Sequence, residues 1–188
     1  MAHEKTEHVI AAARKVFLRY GYRRVTMGDL AEAAQMSRPA LYLVFPSKEQ
    51  IFTEVVTRSL AENIDEIRKG IPRFKTVEEK LAFAFEVWSV RGFELMRTSP
   101  DAADLLESSY EFAAEVTTKA AADFEGLLAE LLEPLLRRRA ALKLSPLHIA
   151  RILRTSVHGF KSEATNSADL RQMISGMCTI LLLSIRKR

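Results

Sequence analysis

The sequence contains a single cysteine in 188 residues, which excludes an intrachain disulfide framework and a multi-cysteine zinc site. Glycine and proline are scarce, at seven and six residues. Their scarcity argues against a β protein with many tight turns and against glycine-rich phosphate loops. Hydrophobic residues make up 48% of the chain and charged residues 28%, a composition that excludes the disordered and collagen-like classes.

Long hydrophobic segments are also missing from the sequence. Residues 9–18 are interrupted by Arg14 and Lys15, so this stretch cannot form the apolar core of a secretory signal peptide. The longest apolar run, residues 177–185, is far shorter than the ~20 residues that a membrane-spanning helix needs. We therefore expect a soluble cytoplasmic protein with no membrane partner.

Motifs typical of enzymes are absent as well. The sequence has no HExxH, GxSxG or phosphate-loop pattern. His148 and His158 lie ten positions apart, about 280° around a helix, so they do not share a ligand face. We expect no catalytic residues, no cofactor and no metal site, and we interpret Cys178 as an inert thiol in an apolar helix.

The excess positive charge is concentrated in the first quarter of the chain. Residues 1–50 contain eight Lys or Arg and five Asp or Glu, so they carry three of the four net positive charges. This imbalance fits a polyanionic partner, although an ordinary solvated surface can have the same composition. The local pattern around these charges is therefore the more informative feature.

The first helix predicted in this region has one apolar side. Its apolar residues recur at spacings of three and four and predict a buried face, which consists of Ile10, Ala13, Phe17 and Tyr20. Gly21 follows this face and can end the helix, because glycine adopts the left-handed conformation without steric cost.

Two short helices with recognisable start signals come next. Thr26 and Asp29 form a capping-box pattern at the start of the second helix, and Ser37 caps the third. Leu41 and Phe45 give the third helix a buried edge. This pattern is typical of a helix-turn-helix, although three small helices can also pack together for structural reasons alone.

The outward side of the third helix fits the chemistry of DNA. Ser37 and Arg38 begin this helix, and the first residues of a recognition helix are those that reach base edges. Arg38, Ala40 and Tyr42 offer a forked donor, a methyl group and a phenol, which suit guanine, the thymine methyl and phosphate. Lys48 lies in the first turn of the following helix, where a phosphate contact is natural.

A continuous pattern of residues at fixed spacing extends over residues 8–55. It consists of residues 10–13, Phe17, Gly21, Tyr22, residues 25–27, residues 29–31, Ala34, Ser37, Leu41, Tyr42, Phe45, residues 47–49 and Ile51. In this pattern the chain resembles the tetracycline-repressor (TetR) family of bacterial transcriptional regulators. It departs from the family at Gln35, a turn position that is commonly glycine, and at Pro39 in the recognition helix. We expect Gln35 to adopt the turn at some cost in strain.

The resemblance implies that the chain binds double-stranded DNA at a palindromic operator. It implies a helix-turn-helix DNA-binding domain in residues 1–46 and a helical effector-binding and dimerisation domain in residues 47–188. The DNA contacts that it implies are of two kinds: Thr26, Tyr42 and Lys48 for phosphates, and Ser37, Arg38, Pro39 and Ala40 for the major groove.

The remaining three quarters of the chain predict further helices and no strands. Residues 77–98 follow a second capping box and are apolar on nearly every side, as in a central helix or one that lines a cavity. Further helices are predicted to start at Ser99, at about Tyr110, at Ser145 and at Ser167. We therefore expect an all-α fold of about nine helices.

The last two helices, in residues 145–186, carry apolar faces that suit an oligomer interface. Core packing within one subunit would use the same residues, but the resemblance favours a homodimer. Two recognition helices ~34 Å apart, one turn of DNA, could then read a palindrome. The faces consist of Ile149, Ile152, Leu153, Ser156, Gly159 and Phe160 on one helix and Ile174, Gly176, Met177, Leu181, Ser184 and Ile185 on the other.

The resemblance also implies a two-state repressor that a small effector releases from DNA. Aromatic and methionine side chains favour an apolar effector, although a protein core would contain the same residues. A helical ligand- or protein-binding bundle without a DNA role is the alternative function. The residues predicted to bind the effector are Trp88, Met96, Tyr110, Phe112, Phe124 and His158.

Overall fold

The structure, a computed structural model, describes residues 2–98, 113–137 and 145–186. These residues form helices and no strand, which confirms the predicted all-α fold. With residues 77–98 counted as one segment, the described residues contain eight helices longer than one turn; the helix predicted to start at Ser99 lies outside them. The elements are α1 (Ala2–Arg24), α2 (Met27–Ala33), α3 (Arg38–Val44), α4 (Lys48–Gly70), a 3-10 turn (Ile71–Arg73), α5 (Val77–Phe85), a π-helical segment (Glu86–Val90), α6 (Arg91–Thr98), α7 (Ala114–Arg137), α8 (Pro146–Glu163) and α9 (Ser167–Arg186).

The chain divides into two compact units. The first consists of Met1–Ala61 and Leu95–Ala120, and the second of Glu62–Glu94 and Ala121–Arg188. The unit that contains α1, α2 and α3 therefore includes the first half of α4 and extends past residue 46. The functional division at residue 46 stays a prediction.

The first unit has an aromatic core between α1 and α4. The ring of Phe52 lies edge-on to Phe17 at 5.4 Å and to Tyr22 at 4.8 Å between centroids, distances at which aromatic pairs attract. Arg58 of α4 also forms an ion pair with Glu7 of α1. These contacts fasten the first half of α4 to α1.

The end of α1 differs from the predicted buried face at one residue. Gly21 interrupts the helix at φ 73° and ψ 171°, and positive φ is the stop that the sequence predicts for it. Tyr20 is nevertheless 47% exposed, whereas Tyr22 is 6% exposed and belongs to the core. Because the break redirects the chain, the ring after Gly21 fills the core position that the helical period assigns to Tyr20.

The second unit contains a leucine-rich core and a bidentate ion pair. Helix α9 packs against α5, the π-helical segment and α8. Arg171 of α9 donates from Nε and Nη2 to the two carboxylate oxygens of Glu86, each at 2.8 Å. These hydrogen bonds hold the pKa of Glu86 below its ordinary value. The pair therefore fixes α9 against the π-helical segment.

The segment from residue 77 to residue 98 is not the uninterrupted α-helix that the sequence predicts. Five residues at its centre, Glu86–Val90, form a π-helix between α5 and α6. The wider turn buries Val87, Ser89 and Val90, while Glu86 reaches Arg171. A run that is apolar on nearly every side does not fix the helical phase, so the sequence pattern could not reveal this change.

Helix α9 combines a buried side with an exposed apolar side. Cys178 is 3% exposed, and burial, with a smaller effect of the Glu78 charge, raises the pKa of its thiol to about 11. On the other side Ile180 is 71% and Leu183 is 55% exposed. Among the described residues, Ser167–Ile185 is long and apolar enough to cross a membrane by length and composition, with 28% of this window buried.

Candidate functional site

Helix α2 starts with the capping box that the sequence predicts. The backbone N–H of Asp29 donates to Thr26 Oγ1 at 3.3 Å, and Asp29 Oδ2 accepts from the Thr26 N–H at 2.8 Å and the Thr26 hydroxyl at 2.7 Å. The hydroxyl and then the N–H of Thr26 lower the pKa of Asp29 below its ordinary value. The hydroxyl proton of Thr26 is thus directed to Asp29, so this hydroxyl can meet a phosphate as a donor only by giving up that bond.

The turn between α2 and α3 is intact despite the missing glycine. Gln35 takes a left-handed φ of 51°, as the sequence predicts. The turn is closed by hydrogen bonds from Gln35 N to Glu32 O at 2.9 Å and from Met36 N to Ala31 O at 2.8 Å. A residue with a Cβ in this conformation costs roughly 1–2 kcal/mol, and these bonds, with the buried Leu30 and Leu41, hold it.

Helix α3 presents the predicted groove-facing residues on its exposed side. Ser37 caps the helix, since its Oγ accepts from the Ala40 N–H at 3.3 Å. Arg38 and Pro39 are exposed and Ala40 is half-buried. On the same helix Leu41 is fully buried and Tyr42 is 51% exposed. The predicted DNA contacts of α3 therefore stand apart from its core residues.

Leu43 is a candidate contact that the sequence interpretation missed. Its side chain is 89% exposed, although it is a large apolar residue on a helix whose other leucine, Leu41, is fully buried. Leu43 lies one helical turn after Pro39, so the 3.6-residue period could have placed it on the outward face. An exposed apolar side chain here is available to meet a thymine methyl group or a sugar.

Lys48 is not a free cation on the surface. Its Nζ donates to the carbonyl oxygens of Tyr22 at 3.0 Å and Val25 at 2.9 Å, and it lies 4.2 Å from the centre of the Tyr22 ring. An ammonium has three protons, so one remains for a phosphate. The Tyr22 hydroxyl in turn donates to Glu49 Oε1 at 2.9 Å. Lys48 and Glu49 thus fasten the start of α4 to the segment between α1 and α2.

Two of the predicted effector residues stack on each other in the second unit. The rings of Trp88 and Phe124 lie 4.5 Å apart and 8° from parallel, and Phe85 packs edge-on against Phe124 at 5.5 Å. Phe124 is fully buried and Trp88 is half-buried. The indole belongs to the π-helical segment, and π-helical turns occur frequently at functional sites.

The other predicted effector residues are not brought into this stack. His158 is exposed on α8, and Met96 is half-buried in the part of α6 that belongs to the first unit. Tyr110 and Phe112 lie outside the described residues. Among the residues that the structure describes, no group of three or more His, Cys, Asp or Glu side chains could hold a metal ion.

Comparison with known proteins finds a family match in the first part of the chain. Residues 9–55 match the model of the bacterial regulatory proteins of the tetR family. An uncharacterized helix-turn-helix-type transcriptional regulator of Bacillus subtilis (strain 168), YfiR, is 32% identical over 67 residues, which cover 36% of this chain and 33% of that protein. The match thus spans about a third of the length of the curated relatives.

Solved structures resemble the chain over nearly its whole length. The fatty acid degradation regulator FadR from Bacillus halodurans matches with a TM-score of 0.66 and 22% identity and covers 98% of this chain and 97% of that one. FadR of Thermus thermophilus, a TetR-family transcriptional repressor in complex with lauroyl-CoA, matches with a TM-score of 0.63 and 22% identity, covering 97% and 95%. At this identity the likeness shows a shared fold.

Proposed function

We propose that the chain, whose residues 9–55 match the tetR family of bacterial regulatory proteins, is a homodimeric cytoplasmic transcriptional repressor. A small, largely apolar effector releases it from a palindromic operator. The observation that carries the proposal is the helix-turn-helix, in which a buried Leu41 holds α3 while Arg38 and Tyr42 on the same helix face solvent. A recognition helix needs both features, because it must be rigid and still expose the side chains that read bases.

We assign the residues of α3 and its neighbours to two kinds of DNA contact. The fork of Arg38 suits the two acceptors of a guanine edge, and Ala40 and Leu43 suit a thymine methyl. Tyr42 and the third proton of Lys48 are donors for phosphate oxygens. Ser37 and Pro39, at the start of α3, face the major groove of the DNA. Thr26, at the start of α2, contacts a DNA phosphate.

The homodimer is proposed to form through α8 and α9. The predicted interface residues separate into two groups, since Ile149, Leu153 and Ile174 are buried within one chain whereas Ile152 is 47% exposed. The exposed side of the two helices contains a shallow apolar depression lined by Phe160, Met173, Gly176, Met177 and Ile180. A second copy of the same surface would cover these residues, and a two-fold dimer matches a two-fold operator.

The effector is proposed to bind beside the π-helical segment. Trp88 supplies a flat, half-buried apolar surface there, supported from beneath by Phe124. The Thermus thermophilus protein, which has a similar fold, is in complex with lauroyl-CoA, a ligand with a long apolar chain. An effector that prefers the arrangement of Trp88 in the DNA-released state would raise the population of that state over the DNA-binding state. The difference between its affinities for the two states sets the size of the shift.

Trp88 makes this proposal directly testable, because it is the one tryptophan of the chain. We expect the intrinsic fluorescence of the protein to change when lauroyl-CoA, or a member of a panel of apolar and aromatic compounds, releases it from DNA. Trp88→Phe, which keeps an apolar ring, is the control for signals that do not arise from the indole. A compound that releases DNA and leaves the fluorescence of the wild-type protein unchanged would place the effector elsewhere.

Selection of bound DNA from a random pool tests the proposed function itself. We expect enrichment of a palindrome, because each subunit of a dimer presents an identical recognition helix. Enrichment of a non-palindromic site would contradict the proposed dimeric mode of binding. No enrichment would remove the DNA-binding role and favour a helical ligand- or protein-binding bundle.

A further inference from the structure

We propose that Gly28 is a specificity-determining residue, which sets the base preference of Arg38 by leaving room for its guanidinium group. This inference rests on the proposed function. Gly28 is the second residue of α2, and Arg38 is the first residue of α3. Sequence reasoning assigned no role to Gly28, because the two residues are ten positions apart and on different helices.

The guanidinium of Arg38 lies directly over the backbone of Gly28. A Cβ atom built on Gly28 would come within 2.9 Å of Arg38 Cζ and 3.0 Å of Nε, and closer still to Nη2. Such distances are below van der Waals contact, so any side chain at position 28 must displace the guanidinium. The backbone of α2 at Gly28 therefore limits where the fork of Arg38 can point.

The direction of this fork matters because guanine is read by two parallel hydrogen bonds. Both bonds form only when the plane of the guanidinium lies in the plane of the base edge. Arg38 is exposed and has several rotatable bonds, so a surface that restricts it before binding selects one direction among many. The backbone at Gly28 supplies such a surface, and the absence of a side chain leaves room for the guanidinium of Arg38.

The position of Gly28 allows a test in which base preference changes while the stability of the fold is kept or increased. Alanine has a higher helix propensity than glycine, and the clashing atoms belong to the end of a flexible side chain that can move away. We therefore expect Gly28→Ala to unfold at the same or a higher temperature than the wild type. A residue with a merely structural role would not combine this result with altered base preference.

The experiment measures binding of the full chain to the selected operator and to variants of each base pair. Arg38→Ala should reduce the preference at one base pair by roughly tenfold or more, the usual value of a bidentate contact. Gly28→Ala should change the preference at that same base pair by roughly five- to tenfold and leave the other positions unchanged. In the Arg38→Ala background, Gly28→Ala should have no further effect.

Gly92→Ala is the matched control. Gly92 is exposed in α6 and no atom of the described residues outside its own helix and chain neighbours lies within 4 Å of a Cβ built there, so this variant should leave base preference at the wild-type value. A wild-type profile for Gly28→Ala, or an equal effect of Gly28→Ala with and without Arg38, would overturn the inference. Failure of the proposed function looks different, since no operator would then be enriched from the random pool and there would be no base preference to change.

Discussion

Replacing Ile180 by glutamate should convert the proposed dimer into a folded monomer and weaken binding to the proposed palindromic operator by about 100- to 10,000-fold. The range is that expected when two linked binding events become two independent ones. Ile180 is the appropriate residue because its side chain is 71% exposed in the single chain and lines the apolar depression on α8 and α9. The substitution therefore removes no atom from the core of the subunit.

The size of the effect follows from the burial of a charge. In the proposed dimer the carboxylate would lie between apolar surfaces, and an unpaired charge in such a place costs several kcal/mol. In the monomer the same carboxylate stays in water. Sedimentation or light scattering measures the oligomeric state, circular dichroism measures the fold, and a titration with operator DNA measures the affinity.

Ala122→Glu is the control for added negative charge. Ala122 is exposed on α7, within the same compact unit, and Lys119 lies one turn before it. This variant should remain dimeric and should bind the operator nearly as the wild type does. A dimeric Ile180→Glu protein would place the interface on another surface, and a monomeric one with full affinity would show that pairing is not needed for operator binding.

Replacing Lys48 by methionine should lower the free energy of unfolding by about 2–3 kcal/mol. Methionine keeps most of the aliphatic part of the side chain but removes the donors to the carbonyls of Tyr22 and Val25 and the contact with the Tyr22 ring. Hydrogen bonds from a charged group contribute about 1.5–3 kcal/mol, and a cation over an exposed ring adds about 0.5–1 kcal/mol. Urea unfolding of the full chain, followed by circular dichroism, measures the change.

Lys69→Met is the matched control on the same helix. Lys69 is largely exposed and pairs with Asp65 one turn away at 2.6 Å, an arrangement that stabilises a helix by about 0.3–0.5 kcal/mol. The loss of stability should therefore be several-fold smaller than for Lys48→Met. Equal losses for the two variants would contradict the role of Lys48 in fastening α4.

The same Lys48 variant separates fastening from phosphate binding. If the third proton of Lys48 reaches a phosphate, the variant loses one phosphate contact per subunit. The plot of log affinity against log salt concentration then becomes less steep by about 0.9 per subunit. If the ammonium only fastens α4, the affinity falls equally on all DNA while the slope is unchanged. We expect the stability loss in both cases, because the two carbonyl contacts exist without DNA.

Much of the fold could be predicted from the sequence because the decisive interactions are local. The caps at Thr26, Ser37, Thr76 and Ser145 each accept a hydrogen bond from a backbone N–H three residues later. Such contacts need only the identity and spacing of neighbouring residues. The same is true of the stop at Gly21, which depends on the conformational freedom of one residue.

The candidate site could be predicted less completely because its side chains have partners far along the chain. Lys48 is bound to carbonyls 26 and 23 positions earlier, and Arg171 is bound to Glu86, 85 positions away. Nothing in a local pattern selects these partners, so the sequence predicted only a phosphate contact for Lys48. Likewise Ile149 and Ile152 share one predicted face, yet the first is buried and the second is 47% exposed.

The sequence by itself determined that this chain is all-α, that it begins with a helix-turn-helix and which residues cap its helices. It also placed most of the excess positive charge in the segment that is proposed to meet DNA. Tertiary structure alone decided that Tyr22 rather than Tyr20 fills the core, that Lys48 fastens α4, and that Arg38 lies over Gly28. The physical reason is that helical period and capping act over a few residues, whereas the direction of a long polar side chain is set by whichever atoms the fold brings beside it.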